Sequence, residues 1–219
     1  MTIMNKITLL LLAVCFVTGA SAQKADVQNL SFGVDVGPNL SGARVHDPST
    51  KVTGAPGLGF EVGAFANLPF AGSPFSFRPR LQYSYESYTP HLYGDKYPVH
   101  MPFVKLPLDV VYNSSLGGGK WFFGAGPYLA MAVGGSFKAN YGDGSQKIHY
   151  GSDPDNDEAK RGDIGLDLMA GYKLMDNIVL SANVDFGFVN ILNTPYWGNG
   201  QKAHTLNFGI TGGYIFGGK

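Results

Sequence analysis

The chain has 219 residues, of which 16 are lysine or arginine and 16 are aspartate or glutamate, so its formal net charge is zero. This balance gives no basic excess of the kind that indicates nucleic-acid binding. Charged residues make up only 15% of the chain and 31 residues are glycine, whereas ordinary soluble domains contain about 25% charged residues and about half this share of glycine. The composition therefore disfavours an ordinary soluble domain.

The first 22 residues have the three parts of a secretory signal peptide. Lys6 supplies a positive charge, residues 7–17 are apolar, and residues 20–22 (Ala-Ser-Ala) form a small-residue cleavage site, which predicts a mature domain of residues 23–219. The apolar run is too short for a membrane-spanning helix, which needs about 20 residues. The only cysteine, Cys15, lies in this segment. Acylation of Cys15 is a less favoured alternative, because a bulky residue precedes it where a small one is preferred.

Eight segments of the mature chain have bulky apolar side chains at every second position and small or charged ones between them. In the third segment, Phe75 and Phe77 share one face, while Arg78 and Arg80 share the other. A period of two residues predicts a β-strand with one apolar and one polar face. In chain order, the predicted strands are residues 29–37, 57–66, 75–86, 101–112, 120–133, 163–174, 177–188 and 204–216.

The predicted connections alternate between long and short. The long ones are residues 38–56, 87–100, 134–162 and 189–203, and the short ones are residues 67–74, 113–119 and 175–176. Outer-membrane barrels have long extracellular loops and short periplasmic turns. The pattern therefore predicts an all-β fold, an eight-stranded antiparallel up-and-down transmembrane β-barrel, in the outer membrane with both termini in the periplasm.

A soluble eight-stranded barrel such as a lipocalin is the competing interpretation, and it would place the apolar faces inside. The interior of such a barrel is just wide enough for side chains to fill, and about forty bulky apolar residues would not fit there. Glycines, serines and a few charged residues would fit. The membrane orientation, with apolar faces toward lipid, is therefore favoured.

Five sequence motifs carry a family resemblance. They are FGVDVGPNLS at 32–41, RPRLQYS at 78–84, VKLPLDV at 104–110, GAGPYL at 124–129 and DIGL at 163–166. On these motifs the mature chain resembles, over nearly its whole length, the small outer-membrane β-barrel domain common in Bacteroidetes, a group that includes PorT-like proteins. The resemblance implies the barrel and its location. It implies little about activity, since one branch is associated with type IX protein secretion and most members have no known function.

The resemblance bears on two unusual features of the chain. Pro79, Pro107 and Pro127 would each remove a hydrogen-bond donor from a strand, and each lies where the family pattern has proline. Barrels of this kind usually end on an aromatic residue that the assembly machinery recognises, whereas here Phe216 is followed by Gly-Gly-Lys. Either that tail is tolerated, or Tyr214 and Phe216 act from inside the end.

Charged side chains on the polar faces are the most specific candidate site. Buried charges must pair or stay hydrated, because isolated burial costs several kcal/mol for each. We expect a structural network of salt bridges that plugs the lumen, and a gated narrow pore or proton path is the alternative. The residues of this network are Asp35, Glu61, Arg78, Arg80, Glu86, Lys105, Asp109, Asp167, Lys173 and Asp185.

Aromatic residues near the predicted strand ends suit the two membrane interfaces, where aromatic girdles form. This set comprises Phe75, Tyr85, Tyr88, Tyr112, Trp121, Tyr172 and Tyr214.

The predicted loops contain residues that could in principle bind metals. Histidine is a common ligand of zinc and haem iron, but the five histidines lack metal-binding spacings; they are His46, His91, His100, His149 and His204. The segment with Asp153, Asp155, Asp157 and Glu158 half-matches a calcium loop, but the turn glycine and the distal glutamate are missing. No metal or cofactor is predicted, and divalent bridging to lipopolysaccharide is the weaker alternative for the acidic loop.

The sequence thus predicts a non-enzymatic outer-membrane barrel with a structural or surface-interaction role through its extracellular loops. An accessory of transport or protein secretion, or a narrow pore, is the second interpretation, and an outer-leaflet lipid-modifying enzyme is the third. The expected partners are outer-membrane lipid and lipopolysaccharide, the barrel-assembly machinery during biogenesis, and an envelope or secretion-system protein. Nucleic acid is not expected.

Overall fold

The computed structural model describes residues 29–46, 53–92, 95–114, 120–138, 144–151, 153, 156–193 and 201–217. The predicted signal peptide lies outside the described residues. The strands are β1 (Ser31–His46), β2 (Thr53–Pro69), β3 (Phe75–Leu92), β4 (Asp95–Lys96), β5 (Val99–Ser114), β6 (Trp121–Ala132), β7 (Ser136–Lys138), β8 (Ser145–Lys147), β9 (Gly162–Lys173), β10 (Ile178–Gly187) and β11 (Lys202–Gly217). No helix in the described part of the chain is long and apolar enough to cross a membrane.

Eight long strands form a closed antiparallel barrel in which each strand pairs with its neighbours in chain order. The barrel closes where β1 pairs with β11, with Phe32 opposite Phe216 at one end and His46 opposite Lys202 at the other. The three short strands, β4, β7 and β8, extend the sheet beside β3 and β5. The predicted eight-stranded up-and-down fold is therefore confirmed.

The two ends of the barrel differ. The end with the start of β1 and the end of β11 also has the short connections between β2 and β3, between β5 and β6, and between β9 and β10; we call it the turn end. The opposite end, the loop end, carries the other connections and the short strands.

The strands at the loop end are longer than the sequence predicts. The prediction ended the first strand at residue 37, but β1 continues to His46 and β2 begins at Thr53. Likewise β3 continues to Leu92 and β5 begins at Val99. Two of the four predicted long loops are thus mostly strand. The prediction was wrong here because most outward residues of the added segments are small or polar, as at Gly42, Arg44 and His46 of β1, so the apolar face no longer marks the strand.

The apolar faces point outward and the polar faces fill the lumen. Leu58 is 74% exposed and Val36 is 60% exposed, whereas Glu61 and Asp167 are fully buried. On β3 the outward apolar residues run from Phe75 to Tyr85, a span of about ten residues, which rises about 25 Å in a strand tilted by about 40°. This height equals that of the apolar band of an outer-membrane barrel. The lipocalin-like orientation is therefore excluded.

Pro79, Pro107 and Pro127 lie within strands whose register is unchanged on both sides of them. Pro79 lies opposite Leu108 at a break in the ladder between β3 and β5, which resumes in the same register at Gln82 and Lys105. A similar break between β5 and β6 follows Pro107. The prolines are tolerated because the strands stay aligned on both sides of each break.

Candidate functional site: the filled lumen and the loop end

Arg80 is the centre of an ion-pair network in the lumen. Its Nη2 lies 2.7 Å from Asp167 Oδ1 and its Nε lies 3.4 Å from Asp109 Oδ2. Asp109 lies on β5, the neighbour of β3, whereas Asp167 lies on β9, so the Arg80–Asp167 pair crosses the lumen. All three side chains are buried, and the network therefore crosslinks the barrel wall from within.

Lys105 forms a second node of the same kind. Its Nζ lies 2.5 Å from Glu86 Oε1 and 2.6 Å from Asp185 Oδ2. The amide of Asn207 donates to Asp185 at 3.3 Å and to Glu61 at 3.4 Å. Five strands, β2, β3, β5, β10 and β11, thus meet through side chains at the barrel axis.

Arg78 lies nearer the turn end and has a different environment. Its guanidinium lies 5.2 Å from the ring centroid of Phe65 and 4.6 Å from that of Phe122, and its Nε donates to Asn67 Oδ1 at 3.3 Å. Cation–π contacts of this geometry stabilise a desolvated arginine. Arg78 therefore caps the charged part of the lumen on the turn-end side.

An apolar cluster closes the lumen below Arg78. This turn-end cluster consists of Phe65, Val111, Phe122, Met169, Val179 and Ile215. Large side chains fit here because glycines face them: a Cβ at Gly33 would clash with the ring of Phe65, and a Cβ at Gly171 would clash with the ring of Phe122. The sequence analysis missed Phe65, Phe122 and Ile215. A bulky residue on the polar face of one strand, together with a glycine on the adjacent strand, is the sequence pattern that could have predicted this cluster.

A second cluster closes the lumen at the other end. This loop-end cluster consists of Met101, Phe103, Tyr128, Ala130, Ala132, Ile191 and Ala203. Ile191 belongs to the segment after β10, which folds back into the mouth of the barrel. Below the cluster, Tyr128 Oη donates to Asp163 Oδ2 at 2.9 Å, and Thr205 Oγ1 donates to the same oxygen at 2.5 Å. Asp163 is thus a further buried carboxylate, outside the set of network residues predicted from the sequence.

The described loop residues pack over the mouth of the barrel. Tyr150 Oη donates to Gly134 O at 2.7 Å, and burial raises the pKa of Tyr150 to about 12, so the hydroxyl remains a donor at neutral pH. Asn193 Nδ2 donates to Asp153 O at 3.0 Å and to Asp157 O at 2.9 Å. Three segments of the chain are thus held together above the lumen.

The acidic residues of this loop participate in local hydrogen bonds. Asp157 Oδ2 accepts from the backbone of Asp153 at 2.8 Å, and Glu158 Oε2 accepts from the backbone of His149 at 2.6 Å. Asp155 lies outside the described residues. Within the part of the chain that the structure describes, no three histidine, cysteine, aspartate or glutamate side chains form a metal-binding group.

Lys173 is separate from the luminal network. It is partly exposed at the turn end of β9, and no ion pair joins it to the luminal carboxylates among the described residues. Nearby, Lys120 Nζ lies 2.8 Å from Asp176 Oδ1 at the exposed surface. The hydrogen bond and charge of Lys120 lower the pKa of Asp176.

Outward-facing aromatic residues lie at both ends of the apolar band. At the turn end, ring centroids are 5.3 Å apart in the pair Phe75–Tyr112 and 4.8 Å apart in the pair Trp121–Tyr172. Tyr214 contacts Phe216 at 4.9 Å at the same end. Toward the loop end, Tyr85 stacks on Phe60 at 5.7 Å and on His100 at 5.8 Å. These rings flank the outward apolar band at both ends, as aromatic girdles do. Tyr88 was wrongly predicted to lie at an interface, because its side chain packs against the loop-end cluster inside the barrel.

The sequence also identifies the family. Residues 21–193 match the model of the outer membrane protein beta-barrel domain family. The chain belongs to this family. Its members are outer-membrane proteins, which agrees with the outward apolar band and places the protein in the outer membrane.

Solved structures of small outer-membrane barrels are similar to this chain in fold. OprG from Pseudomonas aeruginosa has 12% sequence identity and a TM-score of 0.49, with 87% of this chain and 97% of that chain covered. Neisserial surface protein A has 13% identity and a TM-score of 0.47, with coverages of 89% and 99%. Ail of Yersinia pestis, in complex with a heparin analogue, has 13% identity and a TM-score of 0.45, with coverages of 86% and 99%. No curated protein matches the sequence significantly.

Proposed function

We propose that the protein is a non-enzymatic, non-conducting outer-membrane barrel whose loop end contacts envelope components or external partners. In this proposal the turn end and both termini face the periplasm. The observation that carries the proposal is the side-chain filling of the lumen along its whole length, combined with an ordered surface at the loop end.

The lumen has three successive layers of side chains. The turn-end cluster is dry and apolar, the middle layer is held by the Arg80 and Lys105 ion pairs, and the loop-end cluster is again apolar. A hydrated ion would have to displace packed aromatic rings at two levels. This filling supports a structural role for the charges over a conducting path.

The loop end offers a protruding surface. The strands β1, β2, β3 and β5 continue beyond the apolar band, and the small hairpin of β7 and β8 is built on top of β5. The side chains of β8 are all exposed. Because these elements are hydrogen-bonded to the barrel, the surface can present fixed side chains to a partner at low entropic cost.

Planar-bilayer recording tests the closed lumen. The purified protein is expected to give no steady single-channel current, while a large porin in the same bilayer provides the positive control. A wild-type current that increases in the variant Arg80→Gln would show that the narrow-pore alternative is correct and that the proposal is wrong.

Deletion of the gene tests the PorT-like alternative. Under the proposed role, the profile of proteins secreted by the deletion strain is unchanged, and restoring the wild-type gene has no effect on it. A specific, complemented loss of secreted proteins would favour a secretion accessory instead.

A further inference from the structure

The barrel wall has an open seam at the loop end between β1 and β2. Their pairing ends at Ser41 and Gly57, although β1 continues alongside β11 to His46 and β2 continues alongside β3 to Thr53. An irregularity in β2 between Pro56 and Phe60 shifts its register against β3, and Pro56 has no N–H to donate. The hydrogen-bonded pairing of the two strands therefore ends just above the apolar band, where Gly42 still lies beside Pro56.

The seam contains a small apolar cavity. Its volume is about 210 Å³, and glycine, alanine, valine and proline residues form most of its lining, together with Tyr88, Leu206 and Arg44. The lining contains no carboxylate. The cavity lies where the outward residues change from apolar to polar, which is the level at which lipid headgroups meet acyl chains.

Four basic side chains form a block beside the seam. Arg44 on β1 lies directly opposite His204 on β11, and His46 lies directly opposite Lys202. The alternating residues Val45 and Ala203 pack against the loop-end cluster inside the barrel, so the four basic side chains share the outer face. Directly opposed residues in an antiparallel pair have Cβ atoms about 5 Å apart, which allows several of these groups to contact one anion.

A hollow links this basic block to the apolar surface below it. It has a volume of about 530 Å³ and is lined by Arg44, His46 and His204 together with Phe188. Phe188 is 58% exposed, and the Arg44 guanidinium lies 5.9 Å from the ring centroid of Phe186. Among the described residues, no carboxylate forms a salt bridge with Arg44 or Lys202.

We propose that the basic block and the seam bind a phosphate-bearing lipid of the surrounding outer leaflet. The lipid phosphate contacts Arg44 and Lys202, since a guanidinium matches phosphate geometry with two hydrogen bonds, and an acyl chain lies on Phe188 and Leu206 with a segment in the seam. A lipid fits better than a soluble anion, because the cationic groups lie at the rim of the apolar band and the hollow is partly apolar. The proposal does not depend on whether the loop end binds a protein partner.

Native mass spectrometry of the refolded mature protein tests this site. The protein in detergent is titrated with phosphatidic acid and, separately, with phosphatidylcholine of the same chain length. We expect preferential retention of phosphatidic acid, and a loss of about 10- to 30-fold in that preference in R44Q/K202Q, on the scale expected for two cations near an anionic lipid surface. The matched control K138Q/K147Q removes two exposed lysines of β7 and β8 and is expected to retain the preference.

Three further measurements complete the design. The four substituted cations are exposed, and the folding of every variant is checked by gel mobility before and after heating. The single variants R44Q and K202Q are measured as well. The variant Gly42→Leu fills the seam and is expected to weaken retention of the lipid without removing a charge. Inorganic phosphate is added as a competitor and is expected to leave lipid retention unchanged.

Several results would overturn the proposal. If R44Q/K202Q and K138Q/K147Q lose the preference for phosphatidic acid to the same extent, the lipid is attracted non-specifically by surface charge. Displacement of the lipid by inorganic phosphate at equal concentration would indicate a free-anion site. Equal retention of phosphatidic acid and phosphatidylcholine by the wild-type protein would show that the phosphate charge is not recognised.

Discussion

At the scale of single residues, the lumen contains more acidic than basic groups. Among the described residues, seven carboxylates and three basic side chains are buried. Arg80 and Lys105 each contact two carboxylates, as shown by their ion pairs. The loss of Arg80 or Lys105 therefore leaves two buried carboxylates without an ion-pair partner, whereas the loss of one carboxylate reduces the excess of negative charge in the lumen.

This asymmetry gives a direct test. Arg80→Gln is expected to lower the free energy of unfolding by about 3–5 kcal/mol, because it leaves buried charges uncompensated. Glu61→Gln is expected to be neutral or stabilising, since Glu61 belongs to the acidic excess and forms no ion pair among the described residues. Urea titration in lipid vesicles, followed by tryptophan fluorescence, measures both.

The exposed pair at the turn end provides the control for this test. Lys120→Gln removes the ion pair with Asp176, but both side chains are solvated, so stability is expected to stay within experimental error. Equal effects of Arg80→Gln and Lys120→Gln would contradict the structural role of the luminal network.

Residue alternation predicted which charged side chains lie inside, but not how they pair. Nine of the ten predicted network residues are buried, and the tenth, Lys173, lies at the turn end beyond the reach of the others. The pairs Arg80–Asp167 and Lys105–Asp185 join residues that are 87 and 80 positions apart in the chain. Such pairs depend on the stagger between strands, which an alternating pattern does not contain.

At the scale of strands, packing inside the barrel depends on glycines that face large rings. A Cβ at Gly171 would clash with the Phe122 ring and would lie 2.7 Å from Leu180 O. Gly212 is also a strand residue, but a Cβ there would meet nothing within 4 Å. Both positions are strand glycines, and they differ only in the space around them. Substitutions at Gly212 therefore serve as the control for substitutions at Gly171.

Alanine substitutions at these two positions are expected to have opposite outcomes. Gly171→Ala overpacks the turn-end cluster and is expected to cost about 1–3 kcal/mol. Gly212→Ala is expected to be neutral or slightly stabilising, because alanine loses less backbone entropy than glycine on folding. The midpoint of urea unfolding at constant slope measures the difference, and similar midpoints for the two variants would contradict the close packing of Phe122.

Strand prediction succeeded within the apolar band and failed beyond it. In the band, lipid on one side and the lumen on the other enforce a period of two residues. Above the band, the outer residue Ser87 and the inner residue Glu86 are both polar, because each side faces a polar environment. The extension of β1 is instead specified by its pairing with β11, as at Ala43 and Thr205.

At the scale of the whole molecule, the orientation in the membrane is open to direct measurement. Because Cys15 is the only cysteine and lies in the predicted signal peptide, single cysteines can be introduced without background. Lys138→Cys at the loop end is expected to react with a membrane-impermeant maleimide in intact cells. Met175→Cys at the turn end is expected to react only after the outer membrane is permeabilised.

A third position controls for exposure in the lipid band. Leu129 is 49% exposed in the isolated barrel but faces lipid in our description, so Leu129→Cys is expected to stay unlabelled in both preparations. Labelling of Met175→Cys in intact cells would reverse the proposed orientation, and ready labelling of Leu129→Cys would contradict the membrane-embedded band.

The two-residue alternation of the membrane strands restricts how this protein can diverge. Deleting or inserting one amino acid within a membrane strand would turn every following side chain of that strand to the opposite side, sending leucines into the charged axis and aspartates into hydrocarbon. Changes in length can therefore accumulate in the connections at the loop end. The strands of the barrel wall accept substitutions that keep each residue on its apolar or polar face, but they do not accept single insertions or deletions. Natural variants of this chain should differ most in length at the connections of the loop end, while the number of residues in each membrane strand stays constant.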